Sequence, residues 1–164
     1  MHAVRFTAAL LVALLVTACA QLQTATPEKI VFELSGRLAA STRAESFTGN
    51  LSWRHARSAD ELLISTPFGQ GVARILRQDD AVVLETADGR AYRAADSESL
   101  TERVLGFRLP LIGLADWVRG RASPGLEARG WSIEYQEHDA ERRPILMRLT
   151  YPGIELRLAV SEWK

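Results

Sequence analysis

The chain has 164 residues with 20 basic and 20 acidic side chains, so it carries no formal net charge at neutral pH. This balance excludes the strongly basic face or stripe that nucleic-acid binding requires. A single cysteine excludes a disulfide within the chain, and the length suits one domain with a substantial core rather than two.

Arg5 precedes Phe6 to Ala18, 13 residues without a charge, which reads as a basic n-region followed by an apolar h-region. A helix crossing a bilayer needs about 20 apolar residues, so this run is expected to engage the export machinery and be removed, not to remain as a span. It closes on Leu15-Val16-Thr17-Ala18-Cys19, which resembles the lipobox of bacterial lipoproteins: small residues at the cleavage point, then a cysteine whose thiol takes a diacylglyceryl group. Residues 1–18 are therefore read as a signal peptide and Cys19 as the lipidation site. An incidental cysteine beside an ordinary cleavage site would leave an unpaired thiol in an exported protein without a purpose. Each buried methylene contributes roughly 0.8 kcal/mol, so several acyl chains on Cys19 would hold the protein on a membrane. Lipoproteins kept at the inner membrane commonly carry Asp after the cysteine; Ala20 stands here, which points to the outer membrane. Residues 19–29, polar and containing Pro27, read as lipidated cysteine plus tether, and ten extended residues reach at most about 35 Å.

From residue 30 to 164, period-two alternation dominates. Phe32, Leu34, Gly36 and Leu38 share one side of a first strand; Phe47, Gly49, Leu51 and Trp53 share one side of a second. Asp60–Ser65 and Gly71–Arg77 form the next pair across Thr66-Pro67-Phe68-Gly69-Gln70. Val82–Thr86 and Arg90–Ala94 flank Asp88-Gly89, a two-residue hairpin signal of type I′. The period then turns helical. Asp96 caps a segment with Leu100, Val104 and Leu105 on one face and Gly106 as terminator; after Pro110, a second short helix carries Leu114, Trp117 and Val118 and ends near Gly120. Three strands complete the chain, at Trp131–Tyr135, Ile145–Tyr151 and Ile154–Val160, with Pro152-Gly153 as the last turn. Nine antiparallel strands with one apolar face, interrupted by two helices too short to stand alone, predict a mainly β fold: a strongly curved sheet covered by helices.

Four stretches, Phe32–Trp53, Glu61–Arg74, Leu84–Leu114 and Leu156–Trp163, resemble the LolB family of outer-membrane lipoproteins. The features that carry the likeness are the Pro-x-Gly tip at Pro67-Phe68-Gly69, the Asp88-Gly89 hairpin followed by the Ala95-Asp96 cap, the Leu109-Pro110 break before Trp117, and the terminal Glu162-Trp163. The resemblance implies an open antiparallel β-barrel with a helical lid around a hydrophobic cavity. It further implies a receptor, anchored in the outer membrane and facing the periplasm, that takes lipoproteins from a LolA-like periplasmic carrier and places them in that membrane. The implied partners are this carrier, the acyl chains of the cargo and the membrane itself. No nucleic acid, cofactor or metal is implied, and a monomer is expected. The family presents an apolar residue at the tip of a protruding loop; Phe68 occupies that place here, an aromatic where a well-known member of the family has leucine.

Two readings of Phe68 follow: its ring folds back onto the domain, or it is presented to membrane or cargo, as the resemblance implies. Phe32, Trp53, Leu84, Trp117, Tyr135, Met147 and Leu149 are candidates to line the cavity, and the same residues would equally fill a packed core, because periodicity does not distinguish the two. Catalytic patterns are missing: there is no Gly-x-Ser-x-Gly elbow, no phosphate-binding Gly-x-x-x-x-Gly-Lys loop and no His-Glu-x-x-His. His55 and His138 are expected at the surface, and Asp60-Glu61 and Asp79-Asp80 in solvated turns. The rivals to a lipoprotein receptor are a lipocalin-like carrier of a small lipid and a scaffold lipoprotein with a solid core. An enzyme ranks behind both.

Overall fold

A computed structural model describes residues 28–164. Cys19, the signal peptide and most of the tether lie outside the described residues. Nine strands form one antiparallel sheet: β1 (Ile30–Thr42), β2 (Ser46–Ala56), β3 (Ala59–Ser65), β4 (Gly71–Gln78), β5 (Ala81–Thr86), β6 (Ala91–Ala94), β7 (Ser132–His138), β8 (Pro144–Tyr151) and β9 (Ile154–Trp163). The order across the sheet is β6-β5-β4-β3-β2-β1-β9-β8-β7, so β6 and β7 are free edges and the barrel is open. Three helices span the connection between those two edges: α1 (Ser97–Leu105), α2 (Leu111–Trp117) and α3 (Pro124–Ala128). No helix among the described residues is long and apolar enough to cross a membrane.

Curvature comes from places where backbones approach too closely for a side chain. A Cβ on Gly36 would lie 2.2 Å from the carbonyl oxygen of Ala159, at the point where the β1–β9 register shifts. One on Gly49 would lie 2.3 Å from the carbonyl of Ser65, beside the shift between β3 and β4. Glycine at such sites, with a bulge beside it, lets a sheet bend sharply.

The alternation read from the sequence sets the inner face. Leu34 and Leu38 of β1, Leu51 and Trp53 of β2, Leu62 and Ile64 of β3, Ile75 of β4 and Leu84 of β5 are all buried, together with Met147 and Leu149 of β8 and Leu156 and Leu158 of β9. Leu100, Leu111, Leu114, Trp117 and Leu126 of the helices close over them in one cluster. Removing a Leu or Ile of this kind typically costs about 2–5 kcal/mol.

Local details depart from expectation in three places. The Asp88-Gly89 hairpin is a three-residue loop, not a type I′ turn: φ is 80° at Gly89 but not positive at Asp88. Gly89 N–H donates to the Thr86 carbonyl at 2.9 Å, and Thr86 N–H to that of Arg90 at 2.9 Å. This is a type I turn followed by a left-handed glycine. The second helix starts irregularly, with ψ of 118° at Ile112 and φ of 91° at Gly113, so regular helix begins beyond the glycine. The third helix was not anticipated. Its five residues are fewer than two turns and open on Pro124-Gly125, which reads as loop when taken alone.

As expected, Asp96 caps α1, accepting from the backbone of Glu98 and Ser99, and Gly106 ends it with φ of 80°.

Candidate functional site

Three features have the makings of a site: the apolar interior, the hairpin that carries Phe68, and a buried polar cluster at the end of the sheet where β1 begins.

Of the seven residues proposed for the interior, Phe32, Trp53, Leu84, Trp117, Met147 and Leu149 are each 5% exposed or less and belong to one cluster. Tyr135 sits half-buried at its rim, and its hydroxyl donates to the Trp117 carbonyl at 2.8 Å. Burial pushes the Tyr135 phenol above its ordinary pKa. Three grooves of about 670, 620 and 680 Å³ open elsewhere on the surface, and none of the seven lines any of them. The protein's own side chains therefore occupy the interior, with the helices closed on the sheet.

A polar clasp holds those helices together. Glu98 in α1, 5% exposed, accepts a hydrogen bond from the Trp131 indole at 3.1 Å and pairs with Arg129 at 2.6 Å. The same guanidinium donates to the Ile112 carbonyl in α2 at 3.0 Å and to the Gly125 carbonyl in α3 at 3.2 Å. Arg129 thus touches all three helices. Thr101, fully buried, adds a second tie by accepting from the Leu109 backbone N–H at 2.8 Å.

Phe68 is 94% exposed. It occupies the second central position of a turn in which Gly69 N–H donates to the Thr66 carbonyl at 2.9 Å and Thr66 N–H to the Gln70 carbonyl at 2.8 Å. Pro67 fixes the preceding φ, and Gly69 takes φ of 85°. The local sequence thus builds a stiff hairpin whose tip is an unpacked aromatic ring. The folded-back reading of this ring is not the one observed.

The polar cluster corrects two expectations. Asp60 is 3% exposed and His55 8%, not surface groups. The Asp60 carboxylate accepts from the Trp53 indole at 2.8 Å, from His55 Nδ1 at 2.6 Å and from Arg77 Nε. Arg77 also donates to the Ser58 and Asp79 carbonyls, at 3.1 and 3.0 Å. Burial pushes the Asp60 carboxyl upward, but the three hydrogen bonds and the Arg77 charge outweigh it and hold the group below its ordinary pKa. His55 stacks on Phe32 with ring centres 4.9 Å apart, and Arg119 lies over the same Phe32 ring. The signal that would have found this cluster is parity: His55, Asp60 and Arg77 fall on the same alternation as Trp53, Leu62 and Ile75, and they are direct cross-strand partners. His138 lies at the surface, as expected.

Residues 31–163 match the family model "Outer membrane lipoprotein LolB". A protein of Thiobacillus denitrificans named outer-membrane lipoprotein LolB is 36% identical over 146 residues, covering 80% of this chain and 78% of its own. A protein of the same name from Chromobacterium violaceum is 35% identical over 145 residues, covering 81% and 80%. Among solved structures, a LolA superfamily protein of Nitrosomonas europaea superposes with a TM-score of 0.52 at 12% identity, covering 85% of this chain and 87% of its own, which shows a shared fold. With a family match along nearly the whole described domain and relatives above 30% identity, the chain belongs to the LolB family.

Proposed function

We propose that this protein is an outer-membrane lipoprotein, anchored through Cys19, that accepts lipoproteins from a LolA-like carrier and delivers them into the outer membrane without covalent chemistry. The observation that carries the proposal is Phe68, 94% exposed on a hairpin stiffened by proline and glycine, in a chain of this family. An unpacked aromatic ring held away from the core has little to gain from the folded state alone. It gains from an apolar partner.

Uptake of acyl chains requires the helices to lift from the sheet. They have nine, seven and five residues, too short to persist without tertiary packing, so they are held by contacts that a competing hydrocarbon can replace. Exposing the five large buried side chains of the helices, Leu100, Leu111, Leu114, Trp117 and Leu126, costs about 8–15 kcal/mol at roughly 1.5–3 kcal/mol each. One acyl chain of about fifteen methylenes brings ~12 kcal/mol at ~0.8 kcal/mol per methylene, and a lipoprotein carries more than one. Counted from water, hydrocarbon is thus sufficient in magnitude to displace the lid, and in a handover from the carrier the difference between the two cavities sets the direction. The Phe32, Trp53, Leu84, Trp117, Tyr135, Met147 and Leu149 set would then become the lining of the opened cavity.

The test is a transfer assay with the full chain. A carrier loaded with labelled lipoprotein is mixed with the protein in detergent, the two are separated, and label is followed into added vesicles. Label should move to the protein and then to the vesicles, and Phe68→Glu should block the second step while sparing the first. Label that stays on the carrier at equilibrium would refute the receptor role.

A further inference from the structure

On the face of the sheet turned away from the helices, a groove of about 670 Å³ runs across β1 to β5 from the foot of the Phe68 hairpin. This size lies within the roughly 300–1,000 Å³ of small-ligand sites. Ser35, Ser52, Leu63, Arg74 and Glu85 line it, and they are successive cross-strand partners that alternate with core residues, which places them on the outer face. The depression has a cause in the backbone: register shifts between Ser35 and Gly36 and between Ile64 and Ser65 bend the sheet within it, and serine and glycine leave its floor low.

We propose that this groove seats the headgroup of a zwitterionic phospholipid. The walls carry both charges such a headgroup needs to meet. Glu33, Arg54, Glu61, Arg74 and Glu85 form a ladder of ion pairs over the outer face, and Glu85 ends it, meeting only Arg74, at 3.5 Å, among the described residues. Arg74, about half exposed and held at 2.7 Å by Glu61, offers a donor to a phosphate. Glu85, with a carboxylate oxygen to spare, offers an acceptor to the ammonium that follows. Leu63, 46% exposed in the same groove, gives the first methylenes of an acyl chain an apolar contact. Gly69 of the Phe68 hairpin also lines the groove, so a ring inserted in the membrane interface would bring the groove to headgroup depth. In this last respect the proposal rests on the membrane-contact reading of Phe68, but binding of a soluble lipid does not.

The test titrates the full chain, ¹⁵N-labelled and in dodecyl maltoside micelles, with dihexanoyl phosphatidylethanolamine or dihexanoyl phosphatidylglycerol, following backbone amide shifts. Saturable shifts confined to β1–β5 around Ser52, Leu63 and Arg74 are expected for the ethanolamine lipid, with at least tenfold weaker binding of the glycerol lipid. Glu85→Gln should abolish that preference, and Ser52→Trp, which fills the groove, should weaken both at least tenfold. Arg74→Gln serves as a second variant should the tryptophan disturb folding, and should weaken both lipids. Phe68→Glu should leave these titrations unchanged while failing in the transfer assay, which separates the two proposals. Shifts that never saturate, equal binding of both lipids, or saturation only by an extended lipoprotein-linker peptide would overturn the assignment.

Discussion

Replacing Asp60 by asparagine keeps the shape of the buried cluster and removes its charge. The amide oxygen can still accept from Trp53 or His55, but its NH₂ group then faces Arg77, whose side chain is 11% exposed and loses the carboxylate that neutralises it. Breaking a buried ion pair from one side costs about 3–5 kcal/mol. At about 2.1 cal/mol/K of unfolding entropy per residue over the described domain, that corresponds to a melting temperature lower by roughly 10–17 °C. The effect should depend on pH with a definite sign. Although burial opposes it, the hydrogen bonds from His55, Arg77 and Trp53 hold the Asp60 carboxyl below its ordinary pKa. Its contribution is therefore complete above the unfolded pKa of about 3.9 and is lost as pH falls through the folded value. Urea unfolding of wild type and Asp60→Asn should show the Asp60 part of the gap present above about pH 4 and a gap that narrows as pH falls below that. A gap under about 1 kcal/mol at neutral pH, or one that widens as pH falls below about 4, would refute the reasoning.

Arg129→Ala removes a side chain that ties all three helices together, so amide hydrogen exchange should accelerate in α1, α2 and α3 while β1, β2 and β9 keep their protection. Equal acceleration in the sheet would show that the helices are not an independent cover. Gly36→Ala forces a Cβ to within 2.2 Å of the Ala159 carbonyl, and a loss of at least about 2 kcal/mol in urea unfolding is expected. In the opposite direction, Arg142 holds φ of 63° at the third position of the β7–β8 loop, where Gly69 and Gly89 stand in the matching hairpins. Relief of left-handed strain, about 1–2 kcal/mol, exceeds the chain entropy that glycine adds, about 0.5–1 kcal/mol, so Arg142→Gly should raise stability by about 0.5 kcal/mol in the same assay.

Strands were the most legible part of this sequence, because each is apolar on one side only and period two survives even the bends at Gly36 and Gly49. Capping was legible for the same local reason: Asp96 and Gly106 act on residues within one turn of themselves. What escaped depends on partners brought from elsewhere. An aspartate next to a glutamate at a strand start looks solvated until Arg77, seventeen residues on, is found to be its cross-strand partner. The Glu98–Arg129 pair joins residues thirty-one apart through three helices whose packing no periodicity describes. Six of the seven interior residues are buried and Tyr135 is half-buried, and an alternating pattern reads the same whether an inward face packs against side chains or encloses hydrocarbon, because period two records only which way a residue points.

The placing of the two ends of β3 has a mechanical consequence. β1 begins at Ile30, level with Ala56 and the start of β3, whereas the Phe68 hairpin leaves from its far end at Ser65. At about 3.4 Å per residue the foot of the hairpin stands roughly 20 Å from the level of Ile30, measured along the strand, and the aromatic tip farther still. In a molecule anchored through Cys19 as proposed and upright over its lipids, that ring would stand well clear of the leaflet. On the same proposal, the roughly 35 Å that ten extended residues can reach would let the body topple onto its flank, and delivery would become a matter of posture: standing to meet the carrier, reclining to unload.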